Sequence, residues 1–532
     1  MSYLLWQVVS EGASRHPTRA AVSWRDLVLS YAELDEASTR LAHSLAQAGI
    51  GPGARVGLYL PKSHKAVISM IAALKAGAAY VPIDPHAPAS RAAYILRDCA
   101  VRVLVTTPEL AAQLEPEIPA LDALQTIYLT ECSQTLSSPD SVSVRQWSEL
   151  AAFPATPVES RTIESDPAYL LYTSGSTGRP KGVVLTHRNA LTFVDWAVAA
   201  FRLEPDDRMS SHAPLHSDLS IFDVFGALRA GACVALVPED ISPFPGTLAE
   251  WIHRERITVW YSVPSALIRL SVHGRLERWT FDTLRAVLFA GEVFALKHLR
   301  QLMDQLPHAE LYNLYGPTET NVCTYHRVTR PLGDISSLSI GRACENTEVF
   351  ALDEGGAPIE AGQEGELFVR GPTVMAGYWG DQSKTEMALG RNPLQPAYSE
   401  LAYRTGDIVR LEQDGTYTFL GRRDHMVKSR GYRIELGEVE HVLHAHDAVR
   451  EAVVVATPDD EIGARLSAVV AAHEATTVSA RALQAFCATR LPRHMVPETI
   501  VFRDALPLTS TGKADRIALT AMFANSLEHV GS

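Results

Sequence analysis

The sequence predicts an α/β protein with largely parallel sheets, and three observations predict it. Short apolar runs alternate with stretches of helical spacing through most of the chain. The region from Glu348 to Leu420 breaks that alternation and reads as a β-rich subdomain, because its strands are separated by turn residues. A short α+β segment follows Gly421-Arg422-Arg423-Asp424. The 532 residues exceed one compact core, so two or more domains are expected, with a boundary near Asp424.

The elements follow in order. Tyr31 to Ala48 carries Leu34, Leu41 and Leu45 on one helical face, and Arg55 to Leu60 is strand-like. Ala66 to Gly77 reads as a helix and Ala79 to Pro82 as the next strand. The pattern recurs with strands at Val101 to Thr106, Gly182 to Leu185, Ala232 to Val237 and Thr258 to Ser262. In the β-rich region, strands are expected at Glu366 to Val369 and Gly415 to Phe419. Beyond Asp424 the chain predicts a helix over 437–444, a strand over 452–456 and a helix over 480–491. The Ser/Thr/Pro-rich stretch from Ser133 to Ser143 reads as a surface loop.

Composition narrows the function. With 46% apolar and 20% charged residues the chain is of ordinary globular type. A net charge of −13 argues against nucleic acid as a partner, since phosphate binding needs a basic surface. The six cysteines form no Cys-x-x-Cys pair, so neither a zinc site nor a disulfide framework is signalled. The N-terminus lacks a basic signal-peptide region, and the apolar stretch Met70 to Ile83 is interrupted by Lys75 and glycine. A soluble, cytoplasmic protein with no membrane partner is expected. His441, His444 and His446 lack a completing Cys or carboxylate set and read as exposed helix residues; His212 and His216 lack the glutamate of a zincin motif.

The chemistry concentrates in a few motifs. Thr173-Ser174-Gly175-Ser176-Thr177-Gly178-Arg179-Pro180-Lys181-Gly182 follows an apolar run and precedes a strand. Small residues allow close backbone approach to an anion, the N–H groups and hydroxyls can hold phosphate oxygens, and Lys181 adds charge. It is not a Walker A loop, because no glycine directly precedes the lysine and a strand follows. Four further motifs occur in order: Asn313-Leu314-Tyr315-Gly316-Pro317-Thr318-Glu319-Thr320, Tyr403-Arg404-Thr405-Gly406-Asp407, Lys428-Ser429-Arg430-Gly431-Tyr432-Arg433-Ile434-Glu435 after Gly421-Arg422-Arg423-Asp424, and Pro507-Leu508-Thr509-Ser510-Thr511-Gly512-Lys513.

With these motifs the chain resembles the adenylate-forming superfamily of acyl-CoA ligases, luciferases and nonribosomal peptide synthetase adenylation domains. The resemblance implies a large N-terminal domain (1–423) of two parallel-type αβ sheets plus a β-rich subdomain. It also implies a small mobile α+β C-terminal domain (424–532) hinged near Asp424. It implies ATP and Mg²⁺ as cofactors. Thr173 to Gly178 and Lys181 would then hold phosphates, Tyr315 would stack on adenine with Gly291 and Glu292 at the adenine face, Asn313 and Gly316 would belong to the ATP site, and Thr318 would donate to the α-phosphate. Glu319 would be the Mg²⁺ ligand, Asp407 would accept from the ribose hydroxyls, and Arg422 would support the same ring. Lys513 would bridge the substrate carboxylate and the α-phosphate as the adenylation residue, and Lys428 would serve thioester formation after domain rotation.

Asp218 stands where amino-acid-activating members hold the aspartate that pairs with the substrate ammonium, although Ser217 departs from the aromatic or histidine residue usual before it. Offsets place Leu219, Phe222, Tyr261, Leu288, Ala290, Leu314, Val322 and Cys323 around it, an apolar lining without a second charge. That set is similar to free-standing L-prolyl-AMP ligases, which implies L-proline, or another small aliphatic amino acid, as substrate. No carrier-protein motif follows Lys513, so the thiol acceptor is expected on a separate phosphopantetheinylated carrier protein, in natural-product biosynthesis. Two readings compete: an acyl- or aryl-CoA ligase, disfavoured by Asp218, and a nucleotide-binding scaffold without catalysis, disfavoured by Lys181, Glu319, Asp407, Arg422 and Lys513 together.

Overall fold

The computed structural model describes residues 2–132, 141–175, 178–423, 426–473, 478–507 and 515–528. The chain divides into two compact units: Met1–Pro85 with Ala92–Tyr172 and Gly182–Arg423, and His86–Arg91 with Thr173–Lys181 and Asp424–Ser532.

The first unit is built on two αβ sheets. One has nine strands, in the order Arg342–Ala343, Thr324–Arg327, Glu310–Tyr315, Ala286–Ala290, Val259–Ser262, Arg208–Ser211, Cys233–Leu236, Ala20–Trp24 and Leu27–Ser30. The run from Glu310–Tyr315 to Ala20–Trp24 is parallel, and antiparallel strands close both edges. The other sheet has eight strands and is parallel through Ala79–Pro82, Arg55–Tyr59, Val103–Thr106, Thr126–Leu129 and Ser143–Gln146. Its strand Pro167–Thr173, which leads into the Gly/Ser/Thr-rich motif, pairs parallel to Ala79–Pro82 with Tyr169 opposite Tyr80. A five-stranded antiparallel sheet follows, with Leu401–Leu411 paired to both Glu364–Arg370 and Tyr417–Arg422.

Local chemistry accounts for where elements begin. The helix expected over 31–48 runs Tyr31–Gln47, started by a Ser30–Glu33 capping box and burying Leu34, Leu41 and Leu45. The helix expected from Ala66 starts earlier, at His64, because Ser63 caps it by accepting from the Ala66 N–H at 3.3 Å. The strand expected from Gly415 begins only at Tyr417, since Gly415 takes a φ of 79° in the preceding turn and Asp414 accepts from Thr416 N–H at 2.9 Å.

The second unit contains the hairpin Met426–Ser429 and Tyr432–Glu435, and a three-stranded sheet of Val449–Asp459, Gly463–Ala472 and Thr499–Phe502. The helices Leu436–His444 and Ala480–Ala488 contribute Val439, Leu443, Leu483 and Cys487 to its core.

One turn in the first unit is sterically fixed. A Cβ at Gly316 would lie 1.8 Å from the carbonyl oxygen of Asn321, a backbone atom that no rotamer change can move. Gly316→Ala should therefore cost about 2 kcal/mol of stability through forced backbone displacement. Thermal unfolding should register a Tm several degrees lower than wild type; an unchanged Tm would show that the turn relaxes freely.

Candidate functional site

The segment from Asn313 to Cys323 begins as strand Glu310–Tyr315, turns at Gly316, and delivers several of the motif side chains within a few residues. Tyr315 is buried, and its hydroxyl donates to Asp407 on the strand Leu401–Leu411. Arg422, from the neighbouring strand, donates to the other Asp407 oxygen at 2.5 Å and to the Thr405 carbonyl at 3.1 Å. Tyr315, Asp407 and Arg422 thus form one buried cluster. Burial first, and then the Asp407 charge, push the Tyr315 phenol well above its ordinary pKa, so it remains a donor at physiological pH. Asn313 donates to Ser339 O at 2.8 Å. Gly291 takes a φ of 94°, and the Glu292 carboxylate accepts from Ser265 N–H at 2.9 Å, at the start of the helix Pro264–His273.

A second cluster surrounds Asp218. Thr318 donates to its Oδ2 at 2.8 Å and Ser217 donates to Oδ1 at 3.3 Å. Phe222, Tyr261, Leu288, Ala290, Leu314 and Val322 belong to one buried apolar cluster, and Leu219 packs against it. The Phe222 and Tyr261 rings meet edge to face at 5.8 Å. Cys323 packs elsewhere, in the cluster of Tyr315, Ile340 and Val409. A single carboxylate at the edge of an apolar wall can pair an ammonium while apolar contacts hold the rest of a small side chain.

Glu319 is fully buried, accepts from the Tyr378 hydroxyl at 2.7 Å, and uses its carbonyl to accept from Met375 N–H at 2.8 Å. A buried carboxylate oriented by a phenol fits what Mg²⁺ takes from protein beside phosphates and water.

Within the second unit, Ser174 donates to Arg433 O at 2.8 Å and accepts from Glu435 N–H at 3.2 Å. Gly175 N–H donates to the Glu438 carboxylate at 3.2 Å, so this loop amide already receives an anionic oxygen. A Cβ at Gly175 would come within 2.1 Å of Arg179 O, and Gly178 takes a φ of 79°. Thr173 Oγ1 is buried without a hydrogen-bond partner among the described residues. Lys181 opens the strand Lys181–Thr186, and Lys428 lies opposite Arg433 in the hairpin. Ser176, Thr177, Asp424 and Lys513 lie outside the described residues.

Sequence reasoning missed Lys62. This buried ammonium donates to the carbonyls of Ser211 and His212 at 2.7 and 2.8 Å, anchoring the start of the loop that leads to Asp218, and its own N–H donates to Glu239 at 3.0 Å. Burial pushes its pKa down to about 8, against the opposing pull of Asp223 and Glu239. No local spacing marks it, because its acceptors lie 149 and 150 positions along the chain. Tyr378 was missed for the same reason, standing 59 residues from Glu319. The loop's His212 is bonded to Ser262 and Ser242 at 2.9 and 3.1 Å and is held neutral by burial, at a pKa of about 3. Among the described residues no group of three His, Cys, Asp or Glu could hold a metal, and no helix is long and apolar enough to cross a membrane.

Residues 9–379 match the family described as AMP-binding enzyme, and residues 438–513 match the AMP-binding enzyme C-terminal domain. The chain is 41% identical over 519 residues to an L-proline--[L-prolyl-carrier protein] ligase of Pseudomonas fluorescens, covering 97% of this chain and 98% of the relative. It is 39% identical over 519 residues to a protein of the same description from Streptomyces coelicolor, covering 96% and 95%. Among solved structures it resembles the amide bond synthetase McbA of Marinactinospora thermotolerans with a TM-score of 0.86 and 26% identity, covering 98% of this chain and 99% of that one.

Two measurements probe the electrostatics. Arg422→Met leaves the Asp407 carboxylate, whose side chain is 6% exposed, without its cation; unfolding free energy should fall by about 3 kcal/mol. An equal stability in denaturant titration would mean that Tyr315 alone satisfies the carboxylate. Glu366 is bonded by Arg404 of the Tyr403–Asp407 motif and by Arg423. Burial opposes its ionisation, but the two guanidinium groups outweigh it and lower its pKa. A lowered folded pKa contributes stability above the ordinary glutamate pKa that disappears as pH falls through the folded value. Glu366→Gln should therefore be less stable than wild type at pH 7, and the difference should begin to fade only below the ordinary glutamate value of about 4.3 and vanish once pH has fallen through the lowered folded value.

Proposed function

Since the chain belongs to the AMP-binding enzyme family, we propose that it activates L-proline with ATP and passes the prolyl group to a separate carrier protein. The observation that carries the reading is the placement of Asp218, a single carboxylate held by Thr318 and Ser217 against an otherwise apolar cluster. The two L-proline--[L-prolyl-carrier protein] ligases, at 41% and 39% identity over nearly the whole chain, support the same substrate and acceptor.

In the first step the L-proline carboxylate attacks the α-phosphorus of ATP. The bond to the bridging oxygen breaks, pyrophosphate leaves, and prolyl-AMP forms. Asp218 pairs the secondary ammonium, and Phe222, Leu288, Ala290, Leu314 and Val322 enclose the ring methylenes. Tyr315, Asp407 and Arg422 hold the nucleoside, with Gly291, Glu292, Asn313 and Gly316 beside the base. Thr173 to Gly178 and Lys181 hold the phosphates. Glu319 is the protein ligand for Mg²⁺, which when bound neutralises phosphate charge. Two anions must meet, so the ammonium of Lys513 between carboxylate and α-phosphate supplies the charge the transition state needs, a contribution on the order of 3–4 kcal/mol.

In the second step the phosphopantetheine thiol of the carrier protein loses its proton, its sulfur attacks the prolyl carbonyl, and AMP departs. Residues 424–532 act as a domain that turns near Asp424 and brings Lys428 to this step. We place the protein in the cytoplasm and in natural-product biosynthesis.

Amino-acid-dependent ATP–pyrophosphate exchange tests the reading. L-Proline should give the dominant signal among the common amino acids, benzoate and acetate. Dominance by another amino acid would discard proline and keep the chemistry, whereas exchange driven by benzoate or acetate would favour a CoA ligase. Lys513→Ala should lower exchange by about two orders of magnitude or more while ATP still binds. Lys428→Ala should retain exchange and lose prolyl loading of the carrier protein; loss of both activities equally would remove its assignment to the second step.

A further inference from the structure

Thr318 and Asp218 stand 100 positions apart in the chain and meet through one hydrogen bond, from the Thr318 hydroxyl to Asp218 Oδ2 at 2.8 Å. Both backbones are held independently of that bond. Asp218 stands directly before the helix Leu219–Ile221, and its carbonyl accepts from Ile221 N–H at 3.1 Å. An aspartate in that place commonly caps the helix with its own carboxylate. Here the carboxylate caps no N–H of that helix among the described residues and accepts from Thr318. Thr318 is fixed by its neighbours. Pro317 O accepts from Thr320 N–H at 2.9 Å and from the Thr320 hydroxyl at 3.2 Å, and the turn before it admits no Cβ at Gly316. Exposure varies along this turn: Tyr315, Glu319 and Thr320 are buried, whereas Gly316, Pro317 and Thr318 are half-buried, as is Asp218. The bond thus lies on the accessible part of the turn.

A threonine hydroxyl carries one proton and donates to one acceptor at a time. A carboxylate holds that proton well, because an ionised partner makes a hydrogen bond roughly twice as strong. Two events of the proposed reaction change this competition. An ammonium paired with Asp218 offsets its charge and weakens its hold on the proton. A nucleotide held by Tyr315 and Glu319 brings phosphate oxygens, which are charged acceptors, to the turn that carries Thr318. Rotation about the Thr318 Cβ–Oγ1 bond redirects the proton and leaves the fixed main chain where it is.

We propose that Thr318 couples the two substrates: its hydroxyl donates to Asp218 while the ammonium site is empty and turns to a phosphate oxygen of ATP once an ammonium has paired with Asp218. This rests on the proposed reading of Asp218 as the ammonium partner and of the turn as part of the nucleotide site. An amino acid then tightens the binding of ATP, and by linkage ATP tightens the binding of the amino acid by the same factor. An acid without the nitrogen leaves the proton on Asp218 and gives no such gain.

Calorimetric titration of the 532-residue chain with Mg²⁺ and the α,β-methylene analogue of ATP tests this, since that analogue cannot release pyrophosphate. L-Prolinol supplies the ring and the ammonium but no carboxylate to react, and cyclopentylmethanol lacks the nitrogen. L-Prolinol should lower the Kd of the analogue about tenfold in wild type, as one hydrogen bond to a charged group does. Cyclopentylmethanol should leave it unchanged. Thr318→Val keeps the shape without the hydroxyl and should lose the tightening; Thr318→Ser, which keeps the hydroxyl, should retain it. A merely structural defect would weaken the analogue with and without L-prolinol alike and preserve the ratio. A ratio preserved in Thr318→Val, or absent from wild type, overturns the proposal. If Asp218→Asn binds L-prolinol as tightly as wild type does, the Asp218 reading itself fails. Should Thr318→Val not fold, Thr318→Ala decides by the same ratio.

Discussion

The candidate site depends on one steric constraint, the turn at Gly316. With Asn321 O only 1.8 Å from where a Cβ would stand, the chain doubles back on itself between residues 316 and 321. That tight return puts Tyr315 on one side, towards Asp407, and Thr318 on the other, towards Asp218. Glu319, between them, turns into a buried contact with Tyr378. Tyr315 and Cys323 are tied across the turn by the bond from Cys323 N–H to Tyr315 O at 2.8 Å. A wider turn would separate the cluster around Asp407 from the contacts of Asp218.

Around this turn the chain holds two carboxylates, buried Asp407 and half-buried Asp218, in different electrostatic settings. Asp407 is paired with a guanidinium and a phenol, so its charge is already balanced and it serves as a fixed acceptor. Asp218 accepts from the hydroxyls of Thr318 and Ser217 instead. The first arrangement suits recognition of neutral hydroxyls, which exchange hydrogen bonds without adding charge. The second suits a cation, whose attraction in a poorly solvated site exceeds what it would find in water.

The sequence made much of this legible where the determinants are local. Alternation of period and turn chemistry located the helix Tyr31–Gln47 and the strand Ala79–Pro82, because a capping box and a continuous apolar run act within a few residues. The motif from Asn313 to Thr320 was legible for the same reason. The contacts that hold the motifs were not. Lys62 meets carbonyls 149 and 150 positions away, and Tyr378 reaches Glu319 from a two-residue strand. Such partners are set by which strands become neighbours, and no spacing within one segment encodes that. Cys323 shows the same limit: next to Val322 in sequence, it packs into a different cluster because successive residues point to opposite sides of an extended chain.

The division between local motif and distant support explains how one fold keeps its nucleotide chemistry while varying its acid. Tyr315 and Arg422 are both bonded to Asp407, so substitution at any of the three disturbs a charge-balanced set. The wall of Phe222, Leu288, Leu314 and Val322 contributes only apolar contact, and a change of volume there alters which side chain fits without unpairing a buried charge. Asp218 stands at the junction, reached from the nucleotide side through Thr318 and from the acid side through Ser217. On the proposed reading, selection for the ammonium is tied through Thr318 to the turn at Gly316, while selection for the side chain is left to apolar contact.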